Sequence, residues 1–215
     1  MKIFSILFFL LLIISCSENQ QTKKYLPNPK AKRLADSAAM ILMHFGNEEK
    51  AIALLDEATH IDSNYYLAYE NKLAFQAKLN RFNDALSSAK NLIRIHPKSC
   101  YAHTTIGMLY WKTGDSMSAM DHFTKAALLI DKMLDTINKT TQSYEMVLQG
   151  KALNLIFLGQ QEKANKILTE LYNKETDETY KEVFKEFINK SKEEILNTFF
   201  KTDTMVSDSA PILKN

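Results

Sequence analysis

The chain has 215 residues, of which 46% are hydrophobic and 24% charged, with a formal net charge of +2. Five glycines and four prolines leave little material for turns, so the composition favours helices; the even mixture of Lys and Glu argues against a basic nucleic-acid-binding face. Two cysteines, Cys16 and Cys100, are too few for a disulfide framework.

The N-terminus opens with Met1-Lys2 and an apolar run from Ile3 to Ile14. The run falls short of the roughly 20 residues a membrane-spanning helix needs and suits the core of a signal peptide. It ends in Ile13-Ile14-Ser15-Cys16, which resembles the lipobox of bacterial lipoproteins. That resemblance implies removal of residues 1–15, a diacylglycerol on the Cys16 sulfur and an acyl chain, typically palmitate, on the new amino group. It implies a lipid-anchored protein of the cell envelope. Ser17, standing where an aspartate would resemble an inner-membrane retention signal, points to the outer membrane, on its periplasmic side or at the cell surface. Residues 16–31 are polar, include Pro27 and Pro29, and read as the lipidated cysteine and a flexible tether.

A fixed period follows. Ala51, Ala85 and Ala119 are spaced 34 residues apart, as are Gly46, Asn80 and Gly114, and Ala39, Leu73 and Gly107. The segment from Ile106 to Asp115, with Gly107, Tyr110, Trp111 and Gly114, continued by Ala119, Phe123 and Ala126, resembles a tetratricopeptide repeat. Pro97 closes the preceding unit. The resemblance implies an all-α solenoid of about four helix-turn-helix repeats over residues 32–174. Small residues at the crossings, Gly107 against Ala119 and Ala126, let backbones approach, and the turn Gly or Asn takes a left-handed conformation. Leu73 is bulky where a small residue is usual, Gln76 replaces an aromatic, and Ala35 and Leu148 replace the early large aromatic.

A fourth unit comes late, with Ala152 at the small site, Gly159 at the turn and Ala164 at the next helix start. The extra eleven residues are close to three helical turns. They lengthen the second helix of unit three through Leu128, Leu129, Met133, Leu134 and Ile137, with a loop at 138–142. Residues 175–200 then show one more amphipathic pattern, running through Tyr180, Val183, Phe184, Phe187, Ile188, Ile195, Leu196 and Phe199. It reads as a single C-terminal capping helix that covers the last apolar face. Residues 201–215 read as a disordered tail; Asp203-Thr204-Met205 and Asp208-Ser209-Ala210 resemble short bacterial O-glycosylation motifs.

In the family resembled, the first helices of successive units line a concave groove that binds peptides or partner helices. Carried over by register, that groove comprises Arg33, Asp36, Met40 and His44 in unit one. Leu67, Glu70, Asn71, Ala74 and Lys78 follow in unit two, and Tyr101, Thr104, Met108, Trp111 and Lys112 in unit three. Unit four contributes Met146, Gln149, Leu153 and Ile156. Met and aromatic side chains there suit an apolar, adaptable contact.

No catalytic constellation emerges: zinc-protease, paired-cysteine and glycine-rich phosphate motifs are all missing from the sequence. His96, Cys100 and His103 lie close in sequence but read as structural rather than metal-ligating. The expectation is a non-enzymatic, cofactor-free module that binds a protein or peptide of the cell envelope, in a role such as that of an assembly factor, with no nucleic-acid partner. An inhibitor or immunity-type lipoprotein acting on a toxin or hydrolase is the alternative.

Overall fold

The computed structural model describes residues 25–200; the signal segment, Cys16 and the tail at 201–215 lie outside the described residues. Ten helices are found among them: α1 (Pro29–Phe45), α2 (Glu48–Ile61), α3 (Tyr66–Lys78), α4 (Phe82–Ile95), α5 (Cys100–Lys112), α6 (Ser116–Leu134), α7 (Gln142–Phe157), α8 (Gln161–Lys174), α9 (Glu178–Phe187) and α10 (Lys192–Phe199).

The first eight pair as hairpins, α1 with α2, α3 with α4, α5 with α6 and α7 with α8. Each pair stacks on the next through α2–α3, α4–α5 and α6–α7. The reason lies at the turns. Gly46, Asn80, Gly114 and Gly159 each close a hairpin with φ between +57° and +88°, the left-handed region that ends a helix and reverses the chain. A solenoid of four tetratricopeptide-type units follows, in which contacts run mainly between sequence neighbours.

Packing at the crossings obeys a size rule. Ala51, Ala85, Ala119 and Ala164 are all fully buried at the start of the second helices. At the other crossing position, a β-carbon on Gly107 would lie 2.5 Å from the Phe123 ring. It is therefore Phe123, rather than Ala119 or Ala126, that requires the glycine. By the same register the pairs are Ala39 with Leu55, Leu73 with Ala89 and Ala152 with Leu168. Leu73 is thus no anomaly: its opposite number is Ala89, and the large side chain has changed helices. In unit one Ala38 rather than Ala39 is fully buried.

Three features differ from the sequence reading. The array begins at Pro29, not residue 32. Pro29 occupies the first helical position, where its missing N–H costs nothing, and the Asn28 side chain caps the helix by accepting from the Lys30 N–H at 2.9 Å. The Asp62 carboxylate, just past α2, accepts from the Tyr25 hydroxyl at 2.6 Å and the Asn28 N–H at 2.8 Å, so the end of the expected tether is anchored.

Second, α6 lengthens to 19 residues, five rather than eleven more than the 14 of α2 and α4. It ends at Leu134, and Ile137 lies in the loop at 135–141, joining Leu129, Ile130, Met133 and Leu134 in packing with Cys100 and Val147. Leu128, expected in that face, is 67% exposed.

Third, the expected single capping helix is two. Asn189 takes φ +65° and breaks the chain after α9, and its N–H donates to the Asn165 side chain at 3.0 Å. Ser191 then restarts the helix with a reciprocal capping box to Glu194. α9 packs on α8 as a cap. α10 meets Trp111 and Lys112 of α5, and the residues at its end, Phe199 and Phe200, meet Phe82 of α4 and line a pocket shared with α3, α5 and α7.

Candidate functional site

The first helices α3, α5 and α7 present their free side toward the concave face, and α10 lies over it. Its Lys192 Nζ sits 3.7 Å above the Trp111 ring centroid. Lys112 Nζ donates to Asn197 Oδ1 at 3.3 Å, and the Phe200 ring meets Phe82 edge-on with centroids 5.4 Å apart. Ile195 and Leu196 are 0% and 2% exposed and belong to the same apolar core as Met108 and Leu153. The local sequence makes this possible: Ile195, Leu196, Phe199 and Phe200 fall at i, i+1, i+4 and i+5, one stripe of a helix, while Glu193, Glu194 and Asn197 face water.

Beneath the aromatic end of α10 remains a cavity of about 70 Å³. It is lined by Leu73 and Ala77 of α3, Tyr101, Thr104 and Met108 of α5, Val147 and Leu153 of α7, and Phe199 and Phe200. The lining is almost wholly apolar, which suits hydrocarbon or aromatic side chains.

The expected groove residues divide by position. In unit one, Arg33, Asp36, Met40 and His44 are exposed, with Asp36 accepting from Lys32 at 2.7 Å. In unit two, Leu67 is 48% exposed, Asn71 and Ala74 are half-buried, and Lys78 pairs with Glu48 of the preceding unit at 2.5 Å. In units three and four, Thr104, Met108, Leu153 and Ile156 are buried, whereas Tyr101, Trp111, Lys112, Met146 and Gln149 are half-buried. The structure gathers Tyr101, Thr104, Met108 and Leu153 around the cavity and places Trp111 and Lys112 under α10. Those of unit one stand apart on the open stretch of the same face. Sequence reasoning missed the α10 residues themselves, although the Ser-x-x-Glu spacing from Ser191 to Glu194 signals a fresh helix start.

Glu70 is the charged residue of this face that burial alters most. Desolvation pushes its carboxyl up to about 7, against a hydrogen bond with Tyr66 that acts the other way. Burial, reinforced by the nearby Glu70, also raises the Tyr101 hydroxyl above its ordinary range. The protonated form of Glu70 is therefore well populated near neutrality.

On the opposite side of α5, His103 Nδ1 faces His122 Nδ1 at 3.1 Å, and its Nε2 lies 3.3 Å from the Pro97 carbonyl. Two ring nitrogens at that distance share one proton, and burial holds both imidazoles below the usual histidine range. His96 packs edge-on to Tyr66, and Cys100 Sγ lies 3.9 Å from Met133 Sδ, so His96, Cys100 and His103 look in three directions. Among the described residues no group of three or more His, Cys, Asp or Glu is placed to hold a metal ion, and no helix is long and apolar enough to cross a membrane.

No family model and no curated protein matches the chain. Among solved structures it is similar to MamA, at 16% identity over 74% of this chain and 83% of that one, with a TM-score of 0.47. It is similar to PilW, described as a widely conserved type IV pilus biogenesis factor, at 19% identity over 68% of this chain and 62% of that one, TM-score 0.49. It is also similar to a tetratricopeptide repeat protein of Parabacteroides merdae, at 15% identity over 81% of this chain and 84% of that one, TM-score 0.42. These likenesses concern the fold, and the repeat assignment rests on the turn and crossing residues above.

Proposed function

We propose that the protein is a lipid-anchored interaction module of the cell envelope, whose concave face holds a helix or peptide of a protein partner. The observation that carries this reading is that α3, α5 and α7 already form a seat for an amphipathic helix, namely α10, using apolar anchors against an apolar-lined pocket. Met40 and Leu67, 52% and 48% exposed, continue that face beyond α10 with adaptable apolar side chains. Anchoring at Cys16 is supported by the lipobox resemblance alone. With Tyr25 and Asn28 held to Asp62, the chain between Cys16 and the folded part shortens to residues 17–24. At 3.3–3.6 Å per residue, that holds the module within roughly 30 Å of the lipid.

The test uses the full chain in its native envelope. Cys16→Ser is expected to abolish acylation, read by mass spectrometry of the N-terminal peptide. Met40→Asp with Leu67→Asp, both exposed and so compatible with folding, is expected to release a protein crosslinked to the wild-type concave face. Retention of that protein at wild-type yield by the folded double variant overturns the groove reading. Unmodified Cys16 overturns the anchor.

A further inference from the structure

The concave face is filled by the chain's own α10, yet filled incompletely. We propose that α10 is a displaceable occupant and that the partner is an amphipathic helix with the same anchor order, an aliphatic pair followed one turn later by an aromatic pair. This rests on the groove-binding reading above and adds to it what the groove recognises and what must leave first.

Three observations converge. α10 makes the contacts a bound ligand would make. Ile195 and Leu196 are buried in the groove core, Phe200 sits against Phe82, and the ends are fastened by one hydrogen bond from Lys112 and one cation over Trp111. Its attachment is slight: eight residues long, it follows a break at Asn189, whereas α9 alone packs on the solenoid end through α8. A helix that short has little stability of its own, so it is ordered only while docked. Finally, Phe199 and Phe200 share with Met108 and Leu153 the lining of a partly open pocket of about 70 Å³. Unfilled apolar volume forfeits packing contacts, so a partner helix with a larger residue at the Phe199 position gains what α10 lacks. The same sites specify the rest of the partner: a Lys or Arg one turn ahead of the aliphatic pair, to lie over Trp111.

The experiment compares one protein in two states. In the full chain carrying Cys16→Ser, Lys112→Cys and Asn197→Cys, α10 is free, or is fastened by a short bismaleimide bridge between the two new thiols. The probe is a fluorescein-labelled peptide of residues 190–200, read by anisotropy, with Trp111, the only tryptophan, reporting on the groove. The unbridged protein is expected to bind the peptide at least ten-fold more tightly than the bridged one, and Phe199→Trp in the peptide to tighten binding several-fold further. Equal binding in both states, or no binding in either, overturns displacement. If displacement fails while the crosslinked partner is still lost on Met40→Asp with Leu67→Asp, the groove reading survives alone; if that loss also fails, both fall. A concentration-dependent dimer, suppressed by the bridge, would overturn the assignment to a foreign partner and name a second copy's α10 instead.

Discussion

The Phe123 ring occupies the space in which a side chain on Gly107 would begin: a β-carbon there would lie 2.5 Å from one ring carbon and 2.7 Å from the next. Phe123 has nowhere to go. It is fully buried and stacked on Phe157, with centroids 4.7 Å apart and planes 7° from parallel. Gly→Ala inside a helix ordinarily gains about 1 kcal/mol. Here the overlap reverses the sign, and Gly107→Ala is expected to lower unfolding free energy by about 1–3 kcal/mol. Gly150 of α7 is the control, since a β-carbon there meets nothing, so Gly150→Ala should stabilise by about 0.5–1 kcal/mol. Urea midpoints of the two variants, moving in opposite directions, check the argument.

Asn154 is 1% exposed; its amide donates to the Phe123 carbonyl at 2.9 Å, while its own Oδ1 has no partner in the structure. Asn154→Asp replaces that donor with a carboxylate facing a carbonyl in an apolar core. The loss is expected on the order of 3 kcal/mol at pH 8 and less at pH 5, where the new carboxyl keeps its proton and can still donate. Chemical denaturation of variant and wild type at both pH values measures the difference; a penalty independent of pH would show that charge is not the cause.

Glu70 supplies a second pH dependence. Its carboxyl is pushed from an ordinary 4.5 up to about 7, so between those values the folded state holds a proton the unfolded state has lost. Stability from this group is therefore full below pH 4.5 and lost as pH rises through 7. Glu70→Gln removes the dependence, and the variant should gain on wild type by on the order of 3 kcal/mol between pH 4.5 and pH 8. His103 and His122, held low by burial, act in the opposite sense: their contribution is full above about pH 6.5 and fades as pH falls. Thermal melts of wild type and Glu70→Gln across the range separate the two.

Asp62 gathers Tyr25, Asn28 and Asn64 at the base of the first unit. Asp62→Ala removes all three acceptor contacts at an exposed site, so its cost to global stability is expected to be about 1 kcal/mol. Limited proteolysis should reveal more. Cleavage between residues 25 and 30 is expected to accelerate several-fold in the variant, with the repeat array left intact. An unchanged cleavage rate would mean that Asp62 does not hold this segment.

Much of the architecture was legible because its determinants are local or periodic. The 34-residue step of Gly46, Asn80 and Gly114 marks left-handed turns, and all of these residues, with Gly159, adopt positive φ. The start of α1 is equally local, yet the residue pattern places Pro29 in the tether, because a proline reads as a breaker before it reads as a first helical residue. Leu73 illustrates a subtler loss: judged alone it departs from the repeat, and only beside Ala89 does it become half of a size exchange.

The all-α repeat, the turn positions, a longer second helix in unit three and the amphipathic character of the C-terminal segment are legible in the residue pattern alone. These follow from backbone preference and the 3.6-residue period, which act over a few residues at a time. Long-range packing alone settles that α9 caps the solenoid end and that α10 lies in the groove. An apolar stripe states that a helix must bury one face; it does not state against what. That choice depends on the shape and remaining volume of a surface built by α3, α5 and α7, whose residues lie far from Ile195 and Phe200 along the chain and meet them only after the solenoid has closed.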